Sequence, residues 1–404
     1  MDYNFSKIMD SIKPSEIREL LKFASMPGMI SFGGGMPNPL SFPLDEIKKI
    51  ADDVIVNNGK LALQYGNTGG LPELKDEIAK LLLRTENIKT EGKNVIVTTG
   101  SQQALYAMGK IFVNPGETVM TEAPTYIGAI SAFVANGVRM RGVPMDENGM
   151  RTDILQEKLD KLKSENIKPR FIYVIPNYQN PAGYTMSTER RKHLIDIAQD
   201  YKIPLIEDNP YGELRYYGPK MESLKSMERE NEVIYLGTFS KVMAPGLRVG
   251  YVNADEKVIQ KVNLLKQGLE LATSSLSEFI AYEYLKRGIM LKQVPKTVEL
   301  YRGKRDLMIK ALEKYFPEGS TWSKPNGGMF IWATVNENID TTKMAKRALE
   351  NKIAYVSGAS FYPDDVKRNN MRLNFTFSTD SEIEEGVKRL SKVVEEEARE
   401  IAAS

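Results

Sequence analysis

The 404-residue chain contains no cysteine and a single histidine, His193. The first absence removes disulfides, thiolate catalysis and cysteine-held metals together. The second argues against a zinc site and against a Ser-His-Asp triad, so no metal is expected and any nucleophile must be Lys, Ser, Thr, Tyr or a carboxylate. His193 sits in the polar run STERRKHLIDIAQD, where Leu194, Ile195, Ile197 and Ala198 supply the buried face, and it reads as a solvated helix residue. Long apolar runs are missing too. No stretch of about 18 uncharged apolar residues occurs, and MDYNFSKIMDSIKPSEIREL has no apolar core of signal-peptide length, so a cytoplasmic protein without a membrane partner is expected. Excess charge is also lacking: 55 basic against 53 acidic residues leave +2, and no global field recruits nucleic acid.

What the chain does have is an alternation of short β-rich runs with helix-length amphipathic segments, the pattern of a sheet covered by helices. Seven runs stand out: Asn94 to Thr99, Thr118 to Thr121, Val138 to Val143, Arg170 to Ile175, Ile203 to Glu207, Glu232 to Gly237 and Arg248 to Asn253. Amphipathic stretches such as Gln102 to Val113 and Thr188 to Tyr201 lie between them, so the middle of the chain is one α/β domain. Ahead of it, Pro14 to Phe23 carries helix-start signals and is followed by the glycine loop SFGGGMPNP. After it come long charged helices to about Gly319. A strand at Gly328 to Thr334, a helix at Thr341 to Asn351, a strand at Met371 to Phe377 and a terminal helix then form a smaller α+β unit.

The chemistry gathers where strands end. The run Val233 to Leu236 leads into Thr238-Phe239-Ser240-Lys241, placing one lysine at the mouth of an apolar sheet, where an amine can lose its proton near neutral pH and hold an aldehyde covalently. Arg248, seven residues on, cannot give up its charge and suits a phosphate. At Thr99-Gly100-Ser101-Gln102 a strand gives way to a helix whose free N–H groups make an anion site, although Ser also caps helices with no ligand. Ile203 to Asp208 delivers two acids to a strand end, and Asp208 either holds a pyridine nitrogen protonated or caps the loop before Pro210. In the loop Asn177 to Gly183, Asn180 can donate to a ring oxygen, with Asn177 competing for that role and turn chemistry as the plainer account. Tyr126, in Glu122 to Tyr126, can stack on a flat cofactor or simply fill the core. A lysine, an acid, a phosphate cradle, an aromatic plate and a ring-oxygen donor together fit pyridoxal 5'-phosphate.

These segments resemble the fold-type-I aminotransferases, in the branch of the 2-aminoadipate and kynurenine enzymes and the archaeal broad-specificity aromatic enzymes. The resemblance spans nearly the whole chain: SEIRELLK, SFGGGMPNP, LQYGNTGG, TTGSQQAL, EAPTY, NYQNPAG, EDNPYGELRY, GTFSKVMAPGLRVGY, KPNGGMFIW and MRLNF. It implies an α/β fold: a large domain with a seven-stranded, mostly parallel sheet sandwiched by helices, plus a smaller α+β domain. The implied division is residues 1–44 joining the small domain, 45–300 as the cofactor-binding domain and 301–404 as the small domain. It implies that Lys241 carries the cofactor aldehyde and serves as base, that Asp208 pairs with the pyridine nitrogen, and that Tyr211 and Asn180 bond the ring oxygen. Ser101, Gln102, Thr238, Ser240 and Arg248 are implied for the phosphate and Tyr126 for stacking. Tyr65 is implied to reach a partner subunit's phosphate, which makes the site a shared one in a homodimer. Arg372 is matched to the arginine that grips the substrate α-carboxylate beside Asn180; without the family it is a residue of a solvated period-2 strand. Gly34 and Gly35 are placed where backbone approaches substrate. Arg18 is matched to a position that can read an acidic side chain, while Ile17, Leu20 and Phe23 suit aromatic ones.

The implied activity is ping-pong transamination between an aromatic amino acid or 2-aminoadipate and 2-oxoglutarate. The same cofactor also serves lyases and decarboxylases on this fold. A ligand-sensing regulator is the reading from another class, but it needs a DNA-binding region for which no basic helix-turn-helix pattern is present. A non-catalytic homologue is argued against by the presence of both Lys241 and Arg372.

Overall fold

The computed structural model describes residues 1, 3–12 and 26–403; the expected helix from Pro14 to Phe23, with Ile17, Arg18, Leu20 and Phe23, lies outside the described residues. In chain order the first strands are β1 (Ile30–Ser31), β2 (Val95–Thr98), β3 (Thr118–Ala123), β4 (Arg139–Asp146), β5 (Gly149–Met150), β6 (Ile172–Val174), β7 (Leu205–Asp208), β8 (Val233–Thr238) and β9 (Gly250–Asn253). Eight of them form one sheet in the order β2-β9-β8-β7-β6-β3-β4-β5. The contacts of β3 with β4 and β6, of β6 with β7 and of β7 with β8 are parallel, whereas β9 runs antiparallel to both of its neighbours. All seven expected runs are strands here. The eighth, β5, corrects the expected count of seven: two residues are too short to leave a pattern, and they fold back on β4 through a turn in which Asp146 accepts the Asn148 N–H at 2.9 Å.

Successive residues of a strand point to opposite faces, and both faces are buried, which is why these strands read as continuous apolar runs. Ile96, Tyr173, Ile206, Ile234 and Val252 pack on one side with Ala104, Leu105 and Met108 of the helix Gly100–Phe112. On the other side Val174, Leu205 and Val233 pack with Leu159 and Leu194, from the helices Thr152–Ser164 and Thr188–Tyr201. Val97 and Tyr251 meet Val54, Ile78 and Tyr284 at the other end of that face.

The C-terminal part adds β10 (Thr321–Trp322), β11 (Phe330–Thr334), β12 (Ile353–Ala354), β13 (Val356–Ser357) and β14 (Asn370–Asn374). Four of these make an antiparallel sheet, β10-β11-β14-β13, covered by the helices Ile289–Tyr315, Thr341–Glu350 and Asp380–Ala403. β14 ends at Asn374, short of the expected Phe377, because the Asn374 side-chain oxygen takes the N–H groups of Thr376 and Phe377 and turns the chain. β1 pairs in parallel with β12, and Asn374 N–H donates to the Phe32 carbonyl at 2.8 Å. Those bonds carry the glycine loop that follows Phe32 to the side of β14.

Candidate active site

Parallel strands β3, β6, β7 and β8 deliver their C-terminal ends to one edge of the sheet, and antiparallel β9 brings its first residues there. Ligands of open α/β sheets bind at that edge. A cavity of about 250 Å³ lies there, closed from the other side by Phe330 and Arg372 of the C-terminal sheet.

Lys241 enters this cavity from the turn after β8, which is anchored by the buried side chains of Phe239 and Met243 and by a Met243 N–H to Phe239 carbonyl bond of 2.9 Å. Burial, reinforced by the charges of Arg372 and Arg248, brings its pKa down to about 8. Its Nζ donates to the Gly35 carbonyl at 2.9 Å. Asp208, the last residue of β7, is buried, and burial raises its pKa to about 7 against the opposing hydrogen bond from the Tyr173 hydroxyl, 2.7 Å from Oδ2. Its Oδ1 has no partner among the described residues.

Arg372 is 1% exposed, which corrects the reading of β14 as a solvated strand. It is paired on both sides by β11 and β13, and its guanidinium lies 4.1 Å from the Phe330 ring centroid and 5.1 Å from that of Phe361. One terminal nitrogen donates to Asn180 Oδ1 at 3.0 Å and the other to the Gly33 carbonyl at 2.9 Å, while Nε has no partner among the described residues. Burial lowers its pKa to about 10, so it is cationic at neutral pH. Asn180 also donates to the Tyr211 hydroxyl at 3.2 Å, linking Arg372, Asn180 and Tyr211 in one chain of side chains.

At the opposite wall, Gly100 has φ +70° and opens the helix Gly100–Phe112. A Cβ there would come within 2.5 Å of the Arg248 guanidinium, so glycine leaves the room in which arginine and the helix N-terminus converge. Ser101, Gln102, Thr238 and Ser240 line the same wall, with Thr238 Oγ1 accepting the Ser240 N–H at 3.2 Å. Tyr126 lines the cavity, its ring lying over Gly128, where a Cβ would meet it at 2.4 Å.

The sequence profile for aminotransferase class I and II matches residues 28–390. The chain belongs to that family. An aromatic-amino-acid aminotransferase of Thermococcus litoralis is 43% identical over 99% of this chain and 96% of its own length. A 2-aminoadipate transaminase of Thermus thermophilus is 37% identical over 96% of each. A kynurenine aminotransferase of Pyrococcus horikoshii, solved in complex with PMP, superposes with a TM-score of 0.94 at 43% identity, covering 97% of both chains.

This aminotransferase therefore works with pyridoxal phosphate, and its residues fit that group. The cavity holds a cationic wall with a glycine-made recess for a phosphate, an unpartnered carboxylate oxygen for a ring nitrogen and a lysine that deprotonates near neutral pH. Of the residues expected at the site, all named so far lie on the cavity. Gly34 is buried between Gly33 and Gly35, the two glycines whose carbonyls bond Arg372 and Lys241. Tyr65 stands on the protomer surface, 83% exposed and away from this cavity. Asn177, the competing asparagine, is turned away: it bonds Asn209 and Arg191. His193 is half-buried and bonded to Thr152 and Gln156, where a solvated residue was expected. Sequence reasoning missed Phe330, Tyr173 and Glu122. Phe330 alone had a signal, the apolar strand run beside the paired glycines of KPNGGMFIW.

No helix among the described residues is long and apolar enough to cross a membrane.

Proposed function

We propose that the enzyme moves the amino group of an aromatic amino acid or 2-aminoadipate to 2-oxoglutarate in two ping-pong half-reactions, as a cytoplasmic homodimer. The observation that carries this reading is the meeting of a neutralisable Lys241, a half-satisfied Asp208 and a buried, cationic Arg372 in one cavity. The Thermococcus and Thermus relatives support the substrate classes.

Pyridoxal phosphate supplies, when bound, an aldehyde that amines condense with and a ring that draws electrons from the substrate Cα. Lys241 would hold that aldehyde. With its Nζ unprotonated, Lys241 would also be the base that takes the substrate Cα proton. Arg372 grips the α-carboxylate through its planar fork, with Asn180 fixing the angle of the guanidinium. Asp208 would hold the ring nitrogen, Tyr211 and Asn180 the ring oxygen, and Tyr126 would stack on the ring. Ser101, Gln102, Thr238, Ser240 and Arg248 gather the phosphate. Backbone at Gly34 and Gly35 flanks the substrate, and Arg18 reads an acidic side chain. Tyr65, exposed beside exposed Leu61 and Leu63, reaches the phosphate in the partner subunit.

The purified protein is expected to be yellow and to turn over aromatic amino acids or 2-aminoadipate with 2-oxoglutarate in a donor panel. Lys241→Ala abolishes both the visible absorption band and turnover. A colourless wild-type protein that ignores added pyridoxal phosphate overturns this reading.

A further inference from the structure

Tyr173 lies one strand away from Asp208. Its register partner across the parallel β6–β7 pair is Ile206, and Asp208 is two residues beyond Ile206, so Tyr173 and Asp208 project from the same face. Asp208 lines the cavity and Tyr173 lies behind it, fully buried, its ring edge-on to Phe133 at 5.6 Å between centroids. That packing leaves the hydroxyl one course, and it donates to Asp208 Oδ2 at 2.7 Å. Oδ1, the other oxygen, is unpartnered among the described residues. We propose that Tyr173 is a positioning residue for the cofactor: by occupying Oδ2 it fixes the carboxylate plane and turns Oδ1 toward the ring nitrogen.

Among the described residues Tyr173 is the side chain that hydrogen-bonds Asp208. The other ionisable groups that sense the Asp208 charge do so without touching it. They are Glu122 on β3, Tyr126 just after β3 and Tyr211 in the turn beyond β7. Glu122 is committed elsewhere, accepting from Ile175 N–H at 3.1 Å and Gln179 Nε2 at 3.0 Å. Burial holds the Glu122 pKa up at about 8 and pushes that of Tyr173 well above its usual value, so at neutral pH Glu122 keeps its proton and Tyr173 remains a donor. The cluster thus carries at most one negative charge, and Tyr173 directs it to Asp208.

The inference rests on Asp208 being the ring-nitrogen partner, and the test separates the two. Pyridoxal phosphate binding to apoprotein is titrated for wild type, Tyr173→Phe, Asp208→Asn and Tyr355→Phe; the last removes a buried hydroxyl that bonds Thr341, neither residue lining the cavity. In Tyr173→Phe the dissociation constant rises on the order of tenfold, the scale of one hydrogen bond to a charged acceptor. The isotope-labelled pyridine nitrogen in that variant loses its proton at lower pH than in wild type, by NMR. Asp208→Asn weakens binding further, and Tyr355→Phe leaves it unchanged. A Tyr173→Phe protein matching wild type in both readouts overturns the positioning role while Asp208 keeps its own. An Asp208→Asn protein with wild-type affinity overturns the role of Asp208 and this inference with it. If Tyr173→Phe does not fold, meta-fluorotyrosine at 173 replaces it: its fluorine resonance shifts on cofactor loading, and an unmoved resonance overturns the proposal.

Discussion

Glu207 and Asp208 are neighbours on β7, both buried, and they do different things. Glu207 faces away from the cavity and is fully engaged, accepting from Ser223 Oγ at 2.7 Å, Leu224 N–H at 3.1 Å and Lys225 N–H at 2.8 Å. Asp208 has one hydrogen bond and an idle oxygen. Arg191 and Arg372 repeat the contrast among cations. Arg191 gives its hydrogen bonds to the carbonyls of Met186, Glu222 and Pro176 and to Asn177 Oδ1, whereas Arg372 keeps Nε free between two phenyl rings. Burial is common to all four, so burial does not mark the chemistry. What separates the members of each pair is unspent hydrogen-bonding capacity, which a ligand in the cavity can complete.

The strongest way to break the comparison is to swap charge for amide on the idle side. Asp208→Asn is expected to cut turnover on the order of 10²–10³-fold, the scale for one preorganised electrostatic contact in a dry site, with the melting temperature of the apoprotein maintained or raised. Steady-state kinetics and calorimetry together read this. Next in size, Arg372→Lys replaces a planar fork by a point charge and lowers kcat/KM roughly 10- to 100-fold through lost bidentate contact, measured across the amino-acid panel. Glu207→Gln should do the reverse. It places an amide N–H₂ among donors and costs on the order of 1–3 kcal/mol of stability, seen as a lower urea midpoint with kinetic constants preserved. A large catalytic loss in Glu207→Gln at unchanged stability erases the distinction.

The smallest effect is in pH. The folded apoprotein holds Asp208 at about 7, above the ordinary 3.8. Between those values the folded state binds the proton that the unfolded state releases, so this group erodes stability as pH rises from about 4 to about 7 and adds no further change above. The melting temperature of Asp208→Asn apoprotein is therefore expected to overtake that of wild type by a few degrees near pH 7, with the gap closing toward pH 4. Taking the difference between the two proteins cancels Glu86 and Glu278, which are also raised by burial and do not sense Asp208.

How far the chain could be read follows from the range of the forces involved. The seven sheet runs were legible because strands buried on both faces are apolar throughout. The lysine, acid and arginine were legible because strand ends and family motifs flag them. Tyr173 was not, because a tyrosine in a strand looks the same whether its hydroxyl meets water, backbone or a carboxylate on the next strand. The burial of Arg372 was hidden for a similar reason, since two flanking strands and two phenyl rings come from distant segments. The contacts of Gly33 and Gly35 depend on β1 joining β12, a pair of two-residue strands.

The antiparallel course of β9 has a consequence for how the sheet is held. Arg248 stands just before β9 and reaches the Thr99 carbonyl at 3.4 Å across 149 positions of sequence, at the border where β9 zips onto the edge strand β2. An anion clasped between Arg248 and the Gly100 helix start therefore acts as a rivet on the outermost seam of the sheet. It closes a loop of chain whose entropy otherwise favours fraying, and loading the enzyme should slow amide exchange along β2 first.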